Sequence, residues 1–406
     1  MASVLSGHSV RVLSGMRPTG RLHLGHYHGV LKNWVRLQAE YDCFFFVADW
    51  HALTTHYENP HIIEESVWDM VIDWLAAGVD PNTATLFIQS RVPEHAELHV
   101  LLSMITPLSW LERVPTYKDQ QAELKDKDLA TYGFLGYPLL QSADVLAYRA
   151  GLVPVGEDQV PHLEVTREIA RRFNHLYGRE PGYEQRAEEA ISKLGKKNGK
   201  RYRELRTAYL EQGDAEALAT ARALLDRQKN ITIGDKERLF GFLEGGGKII
   251  LPEPQAKLTP SAKMPGLDGR KMSKSYDNTI SLREEPAEVE RKLKTMPTDP
   301  ARVRRSDPGD PAKCPVWQFH EVYSDDKIRE WAGAGCRSAG IGCLECKQPV
   351  IDAVLAELKP IQERAAEFAR DPVVVKNMIA DGCRRARDAA EETLVEVRAS
   401  MGLAYN

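Results

Sequence analysis

The chain reads as an α/β protein, with a Rossmann-like parallel sheet, a helical insert, and an all-α C-terminal part. Three observations predict this. Short apolar runs alternate with stretches of helical spacing through the first 178 residues, the pattern of a parallel sheet covered on both faces. Residues 179–247 switch to helical, polar text rich in Glu, Lys, Arg, Ala and Gly. Beyond residue 283 only helical stripes recur.

Val10-Arg11-Val12-Leu13-Ser14-Gly15 is the first strand. A turn follows at Pro18-Thr19-Gly20, and helical spacing begins near His23 with Leu24, Tyr27, Leu31, Trp34 and Val35. Phe44 to Ala48, apolar on both faces, is the second strand, followed by helical text from Pro60 to Ala77. Thr85-Leu86-Phe87-Ile88-Gln89 is the third, and Leu152 to Val155 is another. The insert closes at Gly245-Gly246-Gly247. It reads as a solvated decoration, with an RNA or partner contact through Lys196-Lys197-Asn198-Gly199-Lys200-Arg201 as the alternative. Strand and motif text resumes at Ile249. Two apolar stripes mark the C-terminal helices. One runs through Ile351, Leu355, Leu358, Ile361, Ala365 and Phe368. The other runs through Ile379, Cys383, Ala386, Ala390, Leu394, Val397 and Met401. These helices are expected to pack on each other. The expected organisation is a catalytic Rossmann-like domain over 1–178, the insert over 179–247, the end of the catalytic domain over 248–282, and a helical domain over 283–406.

Composition sets limits. The chain has 406 residues, 43% of them apolar and 28% charged, with a net charge of −4. No apolar run approaches the ~20 residues of a membrane helix. Met1 to Val10 lacks the basic start and long apolar stretch of a secretory leader. A cytoplasmic protein is expected, with no membrane partner. The slight negative charge argues against non-specific coating of DNA or RNA. It leaves room for a local basic surface that grips one RNA. Six cysteines in such a chain read as metal ligands or packing residues.

Two distant segments suit a nucleotide. In the first, a strand, a Pro-Thr-Gly turn and a helix start offer unpaired N–H groups and a partial positive charge to phosphates. Gly25 has no Cβ, so a flat base can lie on the backbone there. His23 and His26 project from one side of the first turn, with Arg17, Pro18 and Thr19 just before. The bland reading is a capped helix with surface histidines. In the second, Lys271-Met272-Ser273-Lys274-Ser275 follows a Gly-rich loop from Pro265 to Arg270. Two lysines three apart suit a pyrophosphate leaving group, whose charge develops in the transition state. The bland reading is a solvated basic loop.

Together the two segments resemble those of the class I aminoacyl-tRNA synthetases, over nearly the whole chain apart from the insert. Further stretches resemble the tryptophanyl-tRNA synthetases: Met16-Arg17-Pro18-Thr19-Gly20, Ala48-Asp49-Trp50-His51-Ala52-Leu53, Tyr137-Pro138-Leu139-Leu140-Gln141-Ser142-Ala143-Asp144 and Val155-Gly156-Glu157-Asp158-Gln159. The resemblance implies that Asp144 accepts a hydrogen bond from the indole N–H. Tyr137, Gln141 and Asp144, at i, i+4 and i+7, share one helix face and can line one pocket with it. Many bacterial relatives have methionine at the place of Gln141. Tyrosyl-tRNA synthetases also carry Tyr, Gln and Asp at this spacing, so this helix alone does not choose between tryptophan and tyrosine. The resemblance further implies that Gly156, Glu157 and Asp158 contact the ATP ribose and the substrate amine, with Gln159 beside tryptophan. It implies ATP with Mg²⁺ as the nucleotide, tryptophan and its tRNA as partners, and a homodimer.

Cys314, Cys336, Cys343 and Cys346 give C-x21-C-x6-C-x2-C, the donor set of a four-coordinate metal site. Spacing does not separate zinc from an iron–sulfur cluster. Some tryptophanyl-tRNA synthetases hold a [4Fe–4S] cluster on a nearly matching set, and that resemblance favours the cluster, with Zn²⁺ as the alternative. Cys43 and Cys383 read as packing residues. Arg302, Arg304 and Arg305 are candidate grips on tRNA phosphates or a solvated basic turn.

Overall fold

The structure, a computed structural model, describes residues 10–114, 131–156, 159–179, 182–258 and 264–405. Five parallel strands form one sheet: β1 (Arg11–Met16), β2 (Asp42–Val47), β3 (Thr85–Ile88), β4 (Leu152–Val155) and β5 (Gln255–Leu258), in the order β3-β2-β1-β4-β5. Leu13 pairs with Phe44, Phe44 with Thr85, Val12 with Leu152, and Leu152 with Gln255. β2 and β3 lie inside the sheet layers with nearly every side chain buried, which their unbroken apolar text requires. β3 and β5 are the two edges; β3 is covered by the last helix, whereas most side chains of β5 are exposed.

The helices follow in chain order: α1 (Asp49–His56), α2 (His61–Ala77), α3 (Glu94–Ser103), α4 (Tyr137–Ala147) and α5 (Val160–Tyr177) around the sheet, then α6 (Tyr183–Lys193), α7 (Gly195–Gln212), α8 (Ala215–Asp226) and α9 (Ile233–Leu243) in the insert. α10 (Pro286–Thr295), α11 (Pro315–Tyr323), α12 (Asp326–Arg337), α13 (Cys343–Arg370) and α14 (Pro372–Ser400) complete the chain. Several shorter helices join them. After β1 the chain runs helically over 24–37, with a π-helical turn at Tyr27–Leu31. None of the helices is long and apolar enough to cross a membrane, among the described residues.

The insert has its own core, in which Ile191, Leu194, Tyr202, Leu225, Leu239 and Leu243 pack together. The buried Tyr202 hydroxyl donates to the Leu239 carbonyl at 2.5 Å. At its root, Gly178, Gly241 and Gly247 bring three backbone segments into contact, so that a Cβ on Gly247 would stand 2.1 Å from the Gly178 carbonyl carbon.

The C-terminal stripes meet a different partner from the one expected. α13 packs chiefly on α2, and α14 on β3 and α3. Val354, Leu358, Ile361, Ile379, Ala386 and Leu394 belong to the same core as the strands. The stripes face the sheet layers, because those layers would otherwise expose a broad apolar surface. Gly382 allows the approach: a Cβ there would lie 1.8 Å from the Leu86 carbonyl oxygen.

Gly382→Ala should therefore lower stability by ~1–3 kcal/mol through overpacking. Gly234→Ala, at a helical glycine with nothing within 4 Å of the added methyl, should change it by no more than about 0.5 kcal/mol. Thermal unfolding of both variants checks this, and equal effects would refute the close packing of α14 on β3.

Candidate functional site

In a parallel sheet the loops after the strands meet where the strand order reverses. Here that point lies between β1 and β4, the strands that lead into the Arg17–Gly20 turn and Gly156.

The helix start after β1 is tightly organised. His23 Nδ1 accepts from the Gly25 amide at 3.1 Å, and His26 Nδ1 accepts from the His23 amide at 3.3 Å. The two rings lie 3.9 Å apart. Burial, then the charge of Lys274, depresses the His23 imidazole to about 4. Burial, His23, Lys274 and Lys271 push His26 well below its ordinary value. Both rings are thus neutral near pH 7, and each keeps Nε2–H as its remaining donor. Gly25 is packed closely, with a would-be Cβ 2.9 Å from the His23 ring and 3.4 Å from Met272 Cβ.

His26 and Lys274, separated by 248 positions, are brought together by backbone pairing. The Leu24 amide donates to the Ile280 carbonyl at 3.0 Å, and the Leu282 amide donates to the Leu22 carbonyl at 3.1 Å. All four side chains are buried. Lys274 Nζ donates to the Thr19 carbonyl at 3.0 Å, and desolvation lowers its ammonium to about 8. Lys271, Lys274 and Ser275 are exposed on the loop, while Met272 anchors it in the core at 4% exposure. Asn278 braces the loop from below. Its Oδ1 accepts from the Ser273 amide at 2.8 Å, and its Nδ2 donates to Asp268 at 2.7 Å and to the Lys271 carbonyl at 3.2 Å. Two lysines, two neutral imidazole donors and a helix N-terminus make a place for a polyphosphate.

A second site lies behind the ends of β2 and β3. Asp144 on α4 is 1% exposed. Its carboxylate meets His51 Nε2 at 2.7 Å, Gln89 Nε2 at 2.8 Å and His95 Nδ1 at 2.5 Å. Burial alone would raise this carboxyl, but the charge and hydrogen bonds of His51 and His95 outweigh it and hold Asp144 at about 2. An ionised carboxylate offers about four lone-pair sites; three donors occupy it, so capacity for one more remains. The Tyr137 ring stands edge-on to His51 at 4.5 Å. The buried Oε1 of Gln141 and Nδ1 of His51 have no hydrogen-bond partner among the described residues. The Arg17 charge acts on the Tyr137 hydroxyl, which places the turn and this pocket side by side.

Gly156 follows β4 and accepts at its carbonyl from the Gln159 amide at 3.1 Å, at the start of α5. The neighbouring Glu157 and Asp158 lie outside the described residues. The arrangement contains residues that the sequence did not single out: Gln89, His95, Tyr148 and Asn278. His51 stood in a quoted stretch without a role. Their signal is weak in the chain because each acts through a distant partner. Tyr148, for instance, meets His95 Nε2 at 2.6 Å across 53 positions.

Cys314, Cys336, Cys343 and Cys346 all carry free thiols near the surface, at the starts of α11 and α13 and near the end of α12. Among the described residues, no group of three or more His, Cys, Asp or Glu side chains is arranged to hold a metal ion. The four thiols nevertheless act on one another: burial, then Cys314, Cys336 and Cys343, pushes Cys346 up to about 12. Arg302 is buried beneath them and donates to the Ile341 carbonyl at 2.6 Å and the Arg305 carbonyl at 3.0 Å. It supports the cysteine loop, whereas Arg304 and Arg305 remain exposed. Cys43 and Cys383 are buried packing residues.

The chain matches the profile of the family described as "tRNA synthetases class I (W and Y)" over residues 5–193 and 221–359; the unmatched stretch between them falls within the insert. It is 71% identical to the tryptophan–tRNA ligase of Ralstonia nicotianae over 396 residues, covering 98% of this chain and 99% of that one. It is 43% identical to the tryptophan–tRNA ligase of Thermotoga maritima, covering 98% and 100%. The crystal structure of tryptophanyl-tRNA synthetase from Campylobacter jejuni, complexed with ADP and tryptophan, superposes with a TM-score of 0.73 at 26% identity, over 97% of this chain and all of that one. With its five-stranded parallel sheet, its histidine helix start and its lysine loop held face to face, the chain belongs to the class I aminoacyl-tRNA synthetases of the tryptophan and tyrosine family.

Proposed function

We infer that the chain activates L-tryptophan with ATP and transfers it to the 3′ end of its tRNA. The observation that carries this is the 71% identity to a tryptophan–tRNA ligase over nearly the full length. The ADP- and tryptophan-bound relative supports the substrates. The tryptophan carboxylate attacks the α-phosphate, pyrophosphate leaves, and tryptophanyl-adenylate remains. A ribose hydroxyl of the tRNA then attacks the activated carbonyl and releases AMP. Mg²⁺ arrives with ATP. No covalent enzyme intermediate is needed, and the chain's work is positioning and charge stabilisation.

The described geometry supports roles for the histidines, the lysines and Asp144, whereas those of Glu157 and Asp158, outside the described residues, rest on the resemblance to the family. His23 and His26 donate Nε2–H to phosphate oxygens, with Gly25 and Pro18 beside the nucleotide. Arg17 and the Thr19 turn hold the phosphates, and Lys271 and Lys274 balance the charge that grows on pyrophosphate. Met272 anchors the lysine loop, Ser273 and Ser275 line it, and Gly156, Glu157 and Asp158 take the ribose and the amine. Asp144 accepts the indole N–H with the capacity that its three donors leave. Tyr137, Gln141 and Gln159 line the pocket. A pocket with one committed acceptor rejects phenylalanine, which would leave that acceptor unpaired. The helices beyond residue 283 read the anticodon side of the tRNA, and the molecule acts as a homodimer. Val100 on α3 and Met104 just past its end, with Leu108 and Tyr132 nearby, expose the apolar side chains that such an interface covers. The reaction belongs in the cytoplasm, where its tRNA is used.

Cys314, Cys336, Cys343 and Cys346 hold a [4Fe–4S] cluster, with Zn²⁺ as the alternative occupant. The four sulfurs lie close enough that their thiolate charges act on one another, and the ammonium of Lys347, coupled to Cys343, Cys314 and Cys346, supplies positive charge to a site that binds thiolates. The cluster shapes the C-terminal surface. Lys347 Nζ is fixed by the carbonyls of Lys294 and Met296 at 2.6 and 2.5 Å.

Tryptophan-dependent pyrophosphate exchange, run beside tyrosine, tests the substrate: exchange with tyrosine alone would overturn it. Lys274→Ala should lower the exchange rate constant by ~10²–10³-fold with tryptophan affinity unchanged, and equal loss of both would remove its transition-state role. Asp144→Ala should lower kcat/KM for tryptophan by at least ~100-fold, since three buried donors lose their acceptor along with the indole; an unchanged value would take Asp144 out of the pocket. Protein purified without air should carry about four irons per chain and visible absorption, whereas one zinc per chain and no colour would assign zinc.

A further inference from the structure

The Arg17–Gly20 turn is held from beneath by one face of α2. Ser66, Asp69 and Asp73, at i, i+3 and i+7, point to the same side. Ser66 Oγ accepts from the Gly20 amide at 2.8 Å, and Asp73 Oδ2 accepts from the Leu22 amide at 3.4 Å. Asp73 is 1% exposed. Arg283, just past the lysine loop, reaches back to the same face, with Nε 2.8 Å from Asp73 and Nη2 2.7 Å from Asp69. Above the turn lies Lys274: a Cβ on Gly20 would stand 3.5 Å from its Nζ. The turn is thus clasped between an acidic helix face and a lysine, and the carboxylate that acts electrostatically on that lysine is Asp73.

We propose that Asp73 is a positioning residue for adenylation: braced by Arg283, its buried carboxylate fixes the turn through Leu22 and supplies the counter-charge that holds the Lys274 ammonium over it. The inference rests on the reading of Lys274 as a cation for the leaving pyrophosphate. A buried carboxylate that only filled space would be replaced by an apolar side chain at little loss. Here it joins Leu22, just before the histidine helix, to Arg283, just past the lysine loop. Lys274 is held by the Thr19 carbonyl and not by an ion pair to Asp73 among the described residues, so it remains able to turn to a phosphate.

The charged and titratable groups around the pair are few. Burial raises the Asp73 carboxyl to about 6, against the opposing charge of Arg283 from the segment after the loop, with Asp69 on its own helix also facing it. Lys274 faces Asp73 from α2 and the His23 and His26 rings from the histidine helix. Lys274 acts as an ammonium, so its contribution is present below its pKa and is lost as pH rises through about 8. Removing the Asp73 charge removes the effect that raises Lys274, and the loss must then begin at lower pH.

The test is kcat/KM for ATP in tryptophan-dependent pyrophosphate exchange as a function of pH. Asp73→Asn should move the alkaline limb down by ~1 pH unit, and Asp73→Glu should return it toward the wild type. Tryptophan affinity, read by fluorescence titration, should stay constant throughout. A limb that does not move in Asp73→Asn overturns the proposal. If Asp73→Asn does not fold, Asp73→Ser, also neutral and smaller, reads the same limb, and an unmoved limb there overturns it. Lys274→Ala separates the two readings: it should abolish the limb, and a limb that survives there refutes the role of Lys274 itself rather than that of Asp73.

Discussion

Two backbone hydrogen bonds, Leu24 to Ile280 and Leu282 to Leu22, hold the nucleotide site together. They join segments more than 250 residues apart in the chain, and an entropy cost grows with the length of the loop so closed. The four leucine and isoleucine side chains at this junction are buried in the main core, so hydrophobic burial offsets that cost. Everything that a triphosphate would meet depends on this junction. The histidine helix starts directly after Leu22, and the lysine loop ends directly before Ile280. The insert and the long C-terminal helices must leave the junction undisturbed, and both do so by making cores or contacts elsewhere.

The pocket around Asp144 follows another constraint. A buried carboxylate is tolerated only when donors surround it. His51, Gln89 and His95 come from α1, the end of β3 and α3. The parallel order of β2 and β3 places the ends of these strands next to α4, so three separate connections converge on one side chain. The arrangement fixes the charge of Asp144 and the direction of its remaining lone pair before any ligand arrives. That preorganisation is what selectivity for a single N–H donor needs.

The C-terminal helices connect the cysteine segments by direct contacts to the helical stretch that follows β1. α11 and α13 begin at or beside cysteines and run to Tyr323 and Glu357. Both residues meet His28 in the π-helical turn, at 3.1 and 2.8 Å, and Lys32 joins Glu357 at 2.6 Å. Burial would raise the Glu357 carboxyl, yet His28, Lys32 and Tyr323 hold it at about 2, so Glu357 stays ionised beside Lys32. A π turn widens the helix locally, and here it presents His28 to the helices that descend from the cysteines.

Local information determined much of this molecule. Four of the five strand segments, the Pro-Thr-Gly turn before the histidine helix, the lysine loop and the Tyr137–Asp144 helix face are each short-range patterns, set by side-chain period and turn chemistry. Their residues therefore stand in the sequence in readable form. β5, whose Gln255–Leu258 side chains are mostly exposed, carries no such pattern. Tertiary structure alone decided the rest. Arg302 reads as an RNA grip in the chain, but it is buried because the carbonyls of Ile341 and Arg305 offer it hydrogen bonds from another part of the fold. The stripes of α13 and α14 show that two faces are apolar but not what covers them; the sheet layers do, because Gly382 lets a helix approach the Leu86 backbone. Asp73, Asn278, Gln89 and His95 carry no local signature, since each matters only through a partner many residues away. A sequence records which groups can pair, and the closing of the chain decides which ones do.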